Sequence, residues 1–518
     1  MKITSILGYV GAGGGLTTAS MLRSNELALR DNNNSYEIKT LSVQPLYATN
    51  VQTAINKIKN LSGECKLNFS NPFIEDRERF ENKLYIEWIY AHIKKYSQND
   101  VIFEISKDGN IRYYLIIDSK KHSLVTIVNN NLGQPFIIWL FEPFLNKAVT
   151  KLELDEKGTV VIQTHRNPRT NLPISRDFLR TDGTLVFESK YLNDRKEVYI
   201  FNSKLYDNIY EIIVQLDKDK DKNQIIFFED ARISPLILDN YKKLFIVGHR
   251  ADYIHWKEDI YGIPDRKWLK SEWKKIYELV VSNDKVEIIA LTPMNMEFIK
   301  SIYPSIEKKV HVIGNLVPSV PLPKVTIENT TQNSNHFAFI GRVHEAEKRI
   351  SLILESFKLI SEKNNLAKLF FVGDFFDAAT EKVFKDTVKK LGIEDQVSVT
   401  GYTNNINKTL LDLEIDTAIL ISRSETFSMV VPEALQLGIK YLIVDTPYWY
   451  STWENFKGVG VARISENVKE KSKIIADKLY EISNEKLSRT EIMEDFCMKW
   501  DELNFVGKYL NLIESNIR

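Results

Sequence analysis

Near the N-terminus an apolar run, KITSILGYV, meets a cluster of glycines, GAGGG. The next segment, LTTASMLRSNELALR, has apolar residues at helical spacing. Strand, glycine loop, helix predicts the opening of a doubly wound α/β domain. The region from about 80 to 98 predicts a helix. The pattern then changes. From about 101 to 204 come short β-rich runs: VIFEIS, IRYYLIID, SLVTIV, FIIWLF, AVTKLELD, TVVIQTH, TLVFESKYL and KEVYIF. Turn signals such as KDGN, DEKGT and RTDGT separate them, which predicts an antiparallel sheet.

The α/β pattern resumes near 205, where IIFFED, KLFIVGH, VEIIALT and KVHVIGN read as buried parallel strands. The proline-rich LVPSVPLPKV, residues 316 to 325, predicts a stiff linker. Beyond it a second series follows: HFAFIGR, RISLILESFKLISEK, KLFFVGD, ATEKVFKDTVKKLG, VSVTGY, DTAILIS, KYLIVD and a long helical C-terminus. The expected organisation is therefore two Rossmann-like α/β domains. The first comprises 1–98 and 205–318 and is interrupted by an antiparallel β-domain at 99–204. The second spans 325–490, and residues 491–518 form a C-terminal helix packing back on the first domain. In such a pair a ligand is expected in the cleft between the domains, at the carboxyl ends of the strands.

Composition narrows the function classes. Lys plus Arg and Asp plus Glu both total 69, so no overall basic field drives nucleic-acid binding. Two distant cysteines, Cys65 and Cys497, argue against a disulfide framework or cysteine-based zinc, and fit a reducing cytoplasm. No apolar run reaches membrane-span length, and the glycines break the N-terminal stretch too early for a signal peptide. The expected location is cytoplasmic, with at most a peripheral approach to the inner membrane face.

Candidate chemistry gathers at strand ends. DTAILIS delivers SRSETFSMVVPEALQLG, with Glu425 in the loop and Glu433 in the first turn of a short helix. Pro432 suits that first turn, and Gly438 can end the helix. Backbone N–H groups from Phe427 through Ser428 and Met429 to Val430 face an anion there. Carboxylates beside an anion site suit a ligand carrying both phosphates and hydroxyls, as a nucleotide-sugar does. Glu433 can equally serve its own helix N-terminus. In FAFIGRVHEAEKRISLI, Arg342 and Lys348 follow a strand and suit a diphosphate, or are ordinary surface cations. Gly14 and Gly15 fit close backbone approach to sugar or phosphate, or a tight turn, because G-x-G-x-x-G is not matched. His249 follows a buried strand in IVGHRADYIHW, as a cleft residue or a satisfied rim histidine. DKDKD, at 217–221, has D-x-D spacing but no framing strand, so no metal site is expected.

Together these residues resemble the retaining glycosyltransferases of the GT-B fold that carry an E-x7-E motif. ETFSMVVPE matches the motif at Glu425 and Glu433, and GRVHEAEKRI resembles the Arg and Lys diphosphate clamp at Arg342 and Lys348. GGGLTTAS resembles the amino-terminal glycine loop, VGH places His249 at the family's sugar-side histidine, and VTGY puts Gly401 and Tyr402 where the nucleobase packs. The β insertion resembles that of wall teichoic acid α-glycosyltransferases and of the O-GlcNAc transferases that modify serine-rich adhesins. Two features differ from the family: the Arg342–Lys348 spacing is one residue longer, and YSTWENFKGVGVARI replaces the usual Gly-Pro and Asn-Gly loop after VDTPYW.

The resemblance implies a UDP-sugar donor and transfer of a hexose or N-acetylhexosamine without cofactor or metal. The implied acceptor is a polyol-phosphate wall teichoic acid or Ser/Thr of a serine-rich surface protein. Implied catalytic residues are Glu425, His249, Arg342 and Lys348. Implied nucleotide-sugar contacts are Gly14, Gly15, Arg342, Lys348, Gly401, Tyr402, Phe427, Ser428, Met429, Val430 and Glu433. A homo-oligomer through the β-domain, or a partner transferase subunit, is left open. Two other readings of the same build are a non-catalytic carbohydrate-binding partner of a transferase and a nucleotide-sugar epimerase.

Overall fold

A computed structural model describes residues 1–517 apart from 11–14, 97, 131–132, 193–195, 218–221, 230–240, 250–252, 256–266, 270, 317–334, 404, 423–424, 426, 445–452, 465–469 and 501. Gly14, most of the proline-rich linker and most of DKDKD lie outside the described residues. Asp217, at the head of DKDKD, pairs with the buried Lys39 at 2.6 Å.

One sheet contains β1 (Lys2–Leu7), β2 (Ser35–Thr40), β3 (Asn68–Ser70), β14 (Gln224–Phe228), β15 (Lys243–Val247), β18 (Val286–Ala290) and β19 (Val310–Val312). Its order is β19-β18-β15-β14-β1-β2-β3, and the pairs β1–β2, β2–β3, β15–β18 and β18–β19 are parallel. Every residue of β14 is buried, as are the last four of β15, the burial expected of strands covered on both faces. The helix Gly15–Arg30 follows β1. A two-stranded antiparallel pair, β16 (Tyr253–His255) and β17 (Lys267–Leu269), stands apart.

The β-rich segment is a ten-stranded antiparallel meander. Its strands are β4 (Val101–Ile105), β5 (Ile111–Ile117), β6 (Lys120–Asn129), β7 (Pro135–Glu142), β8 (Lys147–Leu154), β9 (Val160–Arg166), β10 (Pro173–Leu179), β11 (Leu185–Tyr191), β12 (Glu197–Phe201) and β13 (Lys204–Tyr206), each beside the next. The sequence pattern misses β10. Polar Ser175, Arg176 and Asp177 break its alternation, yet pairing with β9 and β11 holds the strand in place. Leu115, Leu124, Ile138, Leu140 and Leu152 pack with Ile89 of the helix Tyr85–Lys94. That helix is shorter than the predicted 80–98. Its approach is committed to sheet contacts instead: Lys83 N donates to Thr181 O at 2.7 Å and Tyr85 N to Gly158 O at 2.9 Å.

A buried ion pair fastens the helix Pro72–Arg77 to the β8–β9 turn. Arg77, 1% exposed, donates to Asp155 Oδ2 at 2.6 Å, Thr159 Oγ1 at 2.5 Å and Val160 O at 3.2 Å. Phe73 of the same helix meets Phe187 edge-on at 5.9 Å.

The third sheet is wholly parallel in its registered pairs. It holds β20 (His336–Ile340), β21 (Lys368–Val372), β22 (Val397–Val399), β23 (Thr417–Leu420), β24 (Lys440–Val444) and β25 (Val459–Ala462), in the order β22-β21-β20-β23-β24-β25. The helices Ile350–Lys363, Ala378–Leu391 and Lys471–Ser483 supply Leu354, Phe357, Phe384 and Leu479 to the core around Phe339, Phe371, Ile419 and Leu442. The C-terminal helix Glu502–Ile517 sets Tyr509 edge-on to Phe227 of β14, with centroids 5.9 Å apart.

Candidate active site

The site residues of the third sheet come from the carboxyl ends of its strands. After β20 the chain turns at Gly341. The turn is held by Gly341 N to Val372 O (3.0 Å) and Val343 N to Asp374 O (2.9 Å). The two loops touch backbone to backbone: a Cβ on Gly373, which has φ +150°, would lie 2.1 Å from Gly341 O. The next residue, Arg342, is exposed and lays its guanidinium over the Phe376 ring at 5.7 Å.

Lys348 ends a one-turn helix, Glu345–Lys348, and Arg349 then adopts a left-handed conformation (φ 49°, ψ 48°) before the helix Ile350–Lys363 begins. That break separates Lys348 from the long helix that follows. Its ammonium donates to Glu425 Oε1 at 2.6 Å and to Ser422 Oγ at 3.0 Å. Ser422 is fully buried just beyond β23, while Lys348 and Glu425 keep 15% and 19% side-chain exposure. A partly exposed lysine held between a hydroxyl and a carboxylate is a positive charge fixed in place. Arg342 and Lys348 are not joined by a described contact; Lys348 turns to the E-x7-E loop.

Phe427 is buried against Trp453 (5.5 Å) and Trp500 (5.9 Å), and the two indoles stack at 5.2 Å. Its side chain anchors the loop, leaving only its backbone for a ligand. Ser428 follows in a left-handed conformation (φ 53°), Met429 caps the helix Val430–Leu435, and Glu433 lies in its first turn. Tyr441 of β24 is fully buried. Burial, then the charges of Glu425 and Glu433, push its phenol well above the usual range. After β22, Gly401 takes a left-handed turn (φ 78°) and Tyr402 N donates to Asp374 Oδ1 at 3.0 Å, leaving the Tyr402 side chain 57% exposed.

His249 stands just after β15. Its Nε2 is 2.7 Å from Glu229 Oε2, just after β14, with side chains 3% and 0% exposed. Gly15 opens the helix Gly15–Arg30. Among the described residues no group of three or more His, Cys, Asp or Glu could hold a metal ion. No described helix is long and apolar enough to cross a membrane.

Sequence reasoning missed Ser422, Glu229 and Tyr441. Glu229 in IIFFED and Ser422 in DTAILIS stand where His249 stands in KLFIVGH, as polar residues ending a buried strand. That signal could have found both. Tyr441 looks like any apolar strand residue, so nothing local marks it.

The class of protein follows from fold and domain together. Residues 325–489 match the model for glycosyl transferases group 1. The parallel sheets with an inserted antiparallel one match solved GT-B proteins along the chain. The chain has the GT-B fold, and its residues 325–489 form a glycosyl transferases group 1 domain. Among particular relatives, the Staphylococcus aureus poly(ribitol-phosphate) alpha-N-acetylglucosaminyltransferase is 22% identical over 460 residues, 85% of each chain. Mannosylfructose-phosphate synthase of Agrobacterium fabrum is 25% identical over 173 residues, 31% of this chain and only 38% of that protein's length. In structure, S. aureus TarM, solved with fondaparinux, alpha-GlcNAc-glycerol and UDP, overlaps with a TM-score of 0.76 at 18% identity, covering 99% of both chains. The pneumococcal O-GlcNAc transferase GtfA, solved with UDP and GlcNAc, overlaps with a TM-score of 0.71 at 15% identity, covering 100% of this chain and 99% of its own.

Proposed function

We propose that the protein is a retaining α-glycosyltransferase that moves a hexose or N-acetylhexosamine from a UDP-sugar to a cell-surface polyol-phosphate polymer. The observation that carries this reading is the Lys348 ammonium held 2.6 Å from Glu425 and 3.0 Å from Ser422 beside the E-x7-E loop. The S. aureus relative that matches over 85% of each chain supports the polymer acceptor. A serine-rich protein is the second acceptor, supported by the GtfA likeness along the whole chain. The GtfA/B complex, a structure with a TM-score of 0.65, supports a partner subunit as the alternative to a homo-oligomer.

In this proposal residues 325–490 hold the nucleotide, and residues 1–98 and 205–318 serve the acceptor side. Glu433 receives the ribose hydroxyls. Arg342, Lys348 and the backbone N–H groups from Phe427 through Ser428 and Met429 to Val430 receive the diphosphate. Gly401 and Tyr402 pack the uracil, Gly14 and Gly15 approach the sugar, and Glu425 and His249 orient it. As the glycosidic bond breaks, its electron pair moves onto the β-phosphate of UDP. Cations fixed beforehand interact more strongly with that charge than with the ground state, which lowers the barrier. The acceptor hydroxyl attacks the same face and gives its proton to the departing phosphate. These side-chain cations serve the diphosphate, and no cofactor is proposed.

The test is UDP release from purified protein given UDP-glucose or UDP-N-acetylglucosamine, with and without ribitol-phosphate teichoic acid or a serine-rich acceptor. Release stimulated by the polymer is expected. Stimulation by the protein alone transfers the reading to the second acceptor. No release with any pair overturns the proposal.

A further inference from the structure

Glu229 and His249 form a buried pair that the transferase reading above leaves half explained. They end neighbouring strands, β14 and β15, on the side where α/β sheets bind ligands. Glu229 Oε2 lies 2.7 Å from His249 Nε2, and the side chains are 0% and 3% exposed. A carboxylate isolated from water is costly unless a donor faces it, and an imidazole N–H is such a donor. A carboxylate oxygen accepts, so the ring nitrogen that faces it, Nε2, is the one that donates. The ring has one other nitrogen. Whatever else His249 addresses through its ring, it addresses through Nδ1.

We propose that Glu229 is a positioning residue: it fixes the ring of His249 with its proton on Nε2, so that Nδ1 meets the donor sugar. The sugar contact rests on the transferase reading; the fixed ring does not. Glu229 itself touches no substrate in this scheme and acts on the reaction through His249.

The test uses the full chain and four variants: Glu229→Ala, Glu229→Gln, His249→Ala and the Glu229→Ala/His249→Ala double. Glu229→Ala is expected to lower kcat about ten- to a hundredfold, the worth of one hydrogen bond to a charged group. UDP affinity, measured by calorimetry, stays at the wild-type value, because UDP is held by the other sheet in this scheme. The double variant is expected to be no slower than His249→Ala, since a residue acting only through another adds nothing once that other is gone. Glu229→Gln keeps an oxygen facing Nε2 and regains part of the rate. In spectra of 15N-histidine-labelled protein, the Hε2 proton of His249 is expected to be sheltered from exchange in the wild type and lost in Glu229→Ala. A wild-type rate in Glu229→Ala, or multiplicative losses in the double variant, overturns the positioning role. An Hε2 signal unchanged by Glu229→Ala overturns the fixed ring. Wild-type protein that releases no UDP overturns the sugar contact, and the spectra then still decide whether Glu229 holds the ring.

Discussion

Replacing Lys348 with Met keeps the length of the side chain and deletes its charge. In the free protein that charge sits 2.6 Å from Glu425 and 3.0 Å from Ser422. In the transition state of the proposed reaction it faces the new charge on UDP. Two unit charges about 4 Å apart at an effective dielectric of about 20 interact by about 4 kcal/mol. Each 1.36 kcal/mol is about tenfold in rate, so the ceiling is about a thousandfold. Glu425 competes for the same ammonium, which brings the expected loss of turnover to about a hundred- to a thousandfold. At 15% and 19% exposure the pair is largely buried, so removing the lysine also costs the fold some stability. The assay is UDP release under single-turnover conditions, with the circular dichroism melt as control. A folded Lys348→Met protein turning over within about threefold of wild type would refute the clamp and the electrostatic reasoning behind it.

Three further outcomes are expected. Ser422→Ala removes a fully buried acceptor of the lysine's hydrogen bond and should weaken UDP binding about tenfold, near the low end for bonds to charged groups, as calorimetry would read. Arg77→Ala strands the buried Asp155 carboxylate and should cost about 3–5 kcal/mol in urea unfolding, with early hydrogen exchange in the β8–β9 turn. His165 is held above its ordinary pKa of 6.5 by its hydrogen bond to Asp177, against the opposing effect of burial. A folded pKa above the unfolded one gives stability that is full below the unfolded value and fades as pH rises through the folded one. An NMR titration should therefore place the His165 midpoint above 6.5, and Asp177→Asn should lower it.

Much of the site was legible from residue spacing. Glu425, Glu433 and Lys348 stand on strand ends and first turns, positions that apolar runs and a proline mark within a few residues. The extra residue between Arg342 and Lys348 was visible, but its structural setting was not. The one-turn helix and the left-handed Arg349 put Lys348 against Glu425 and Ser422, while Arg342 stacks on Phe376. Phe427 is expected to offer its backbone N–H to the nucleotide, and the setting of its side chain is not readable from the local sequence. Its ring lies in an aromatic cluster with Trp453 and Trp500, residues far along the chain.

Residue spacing alone yields most of the elements and their class: buried parallel strands, a meander of half-buried ones, and the polar residues that end them. Those properties depend on periodicity over a few residues, which the backbone reads locally. The partners depend on how the sheets and loops pack. Arg77 meets Asp155, His249 meets Glu229, and Lys348 meets Ser422 and Glu425 because strand order and loop geometry bring distant side chains within hydrogen-bond reach. A bond under three ångströms depends on position to a fraction of an ångström, and that position is set by the packing of whole sheets rather than by any local run of residues.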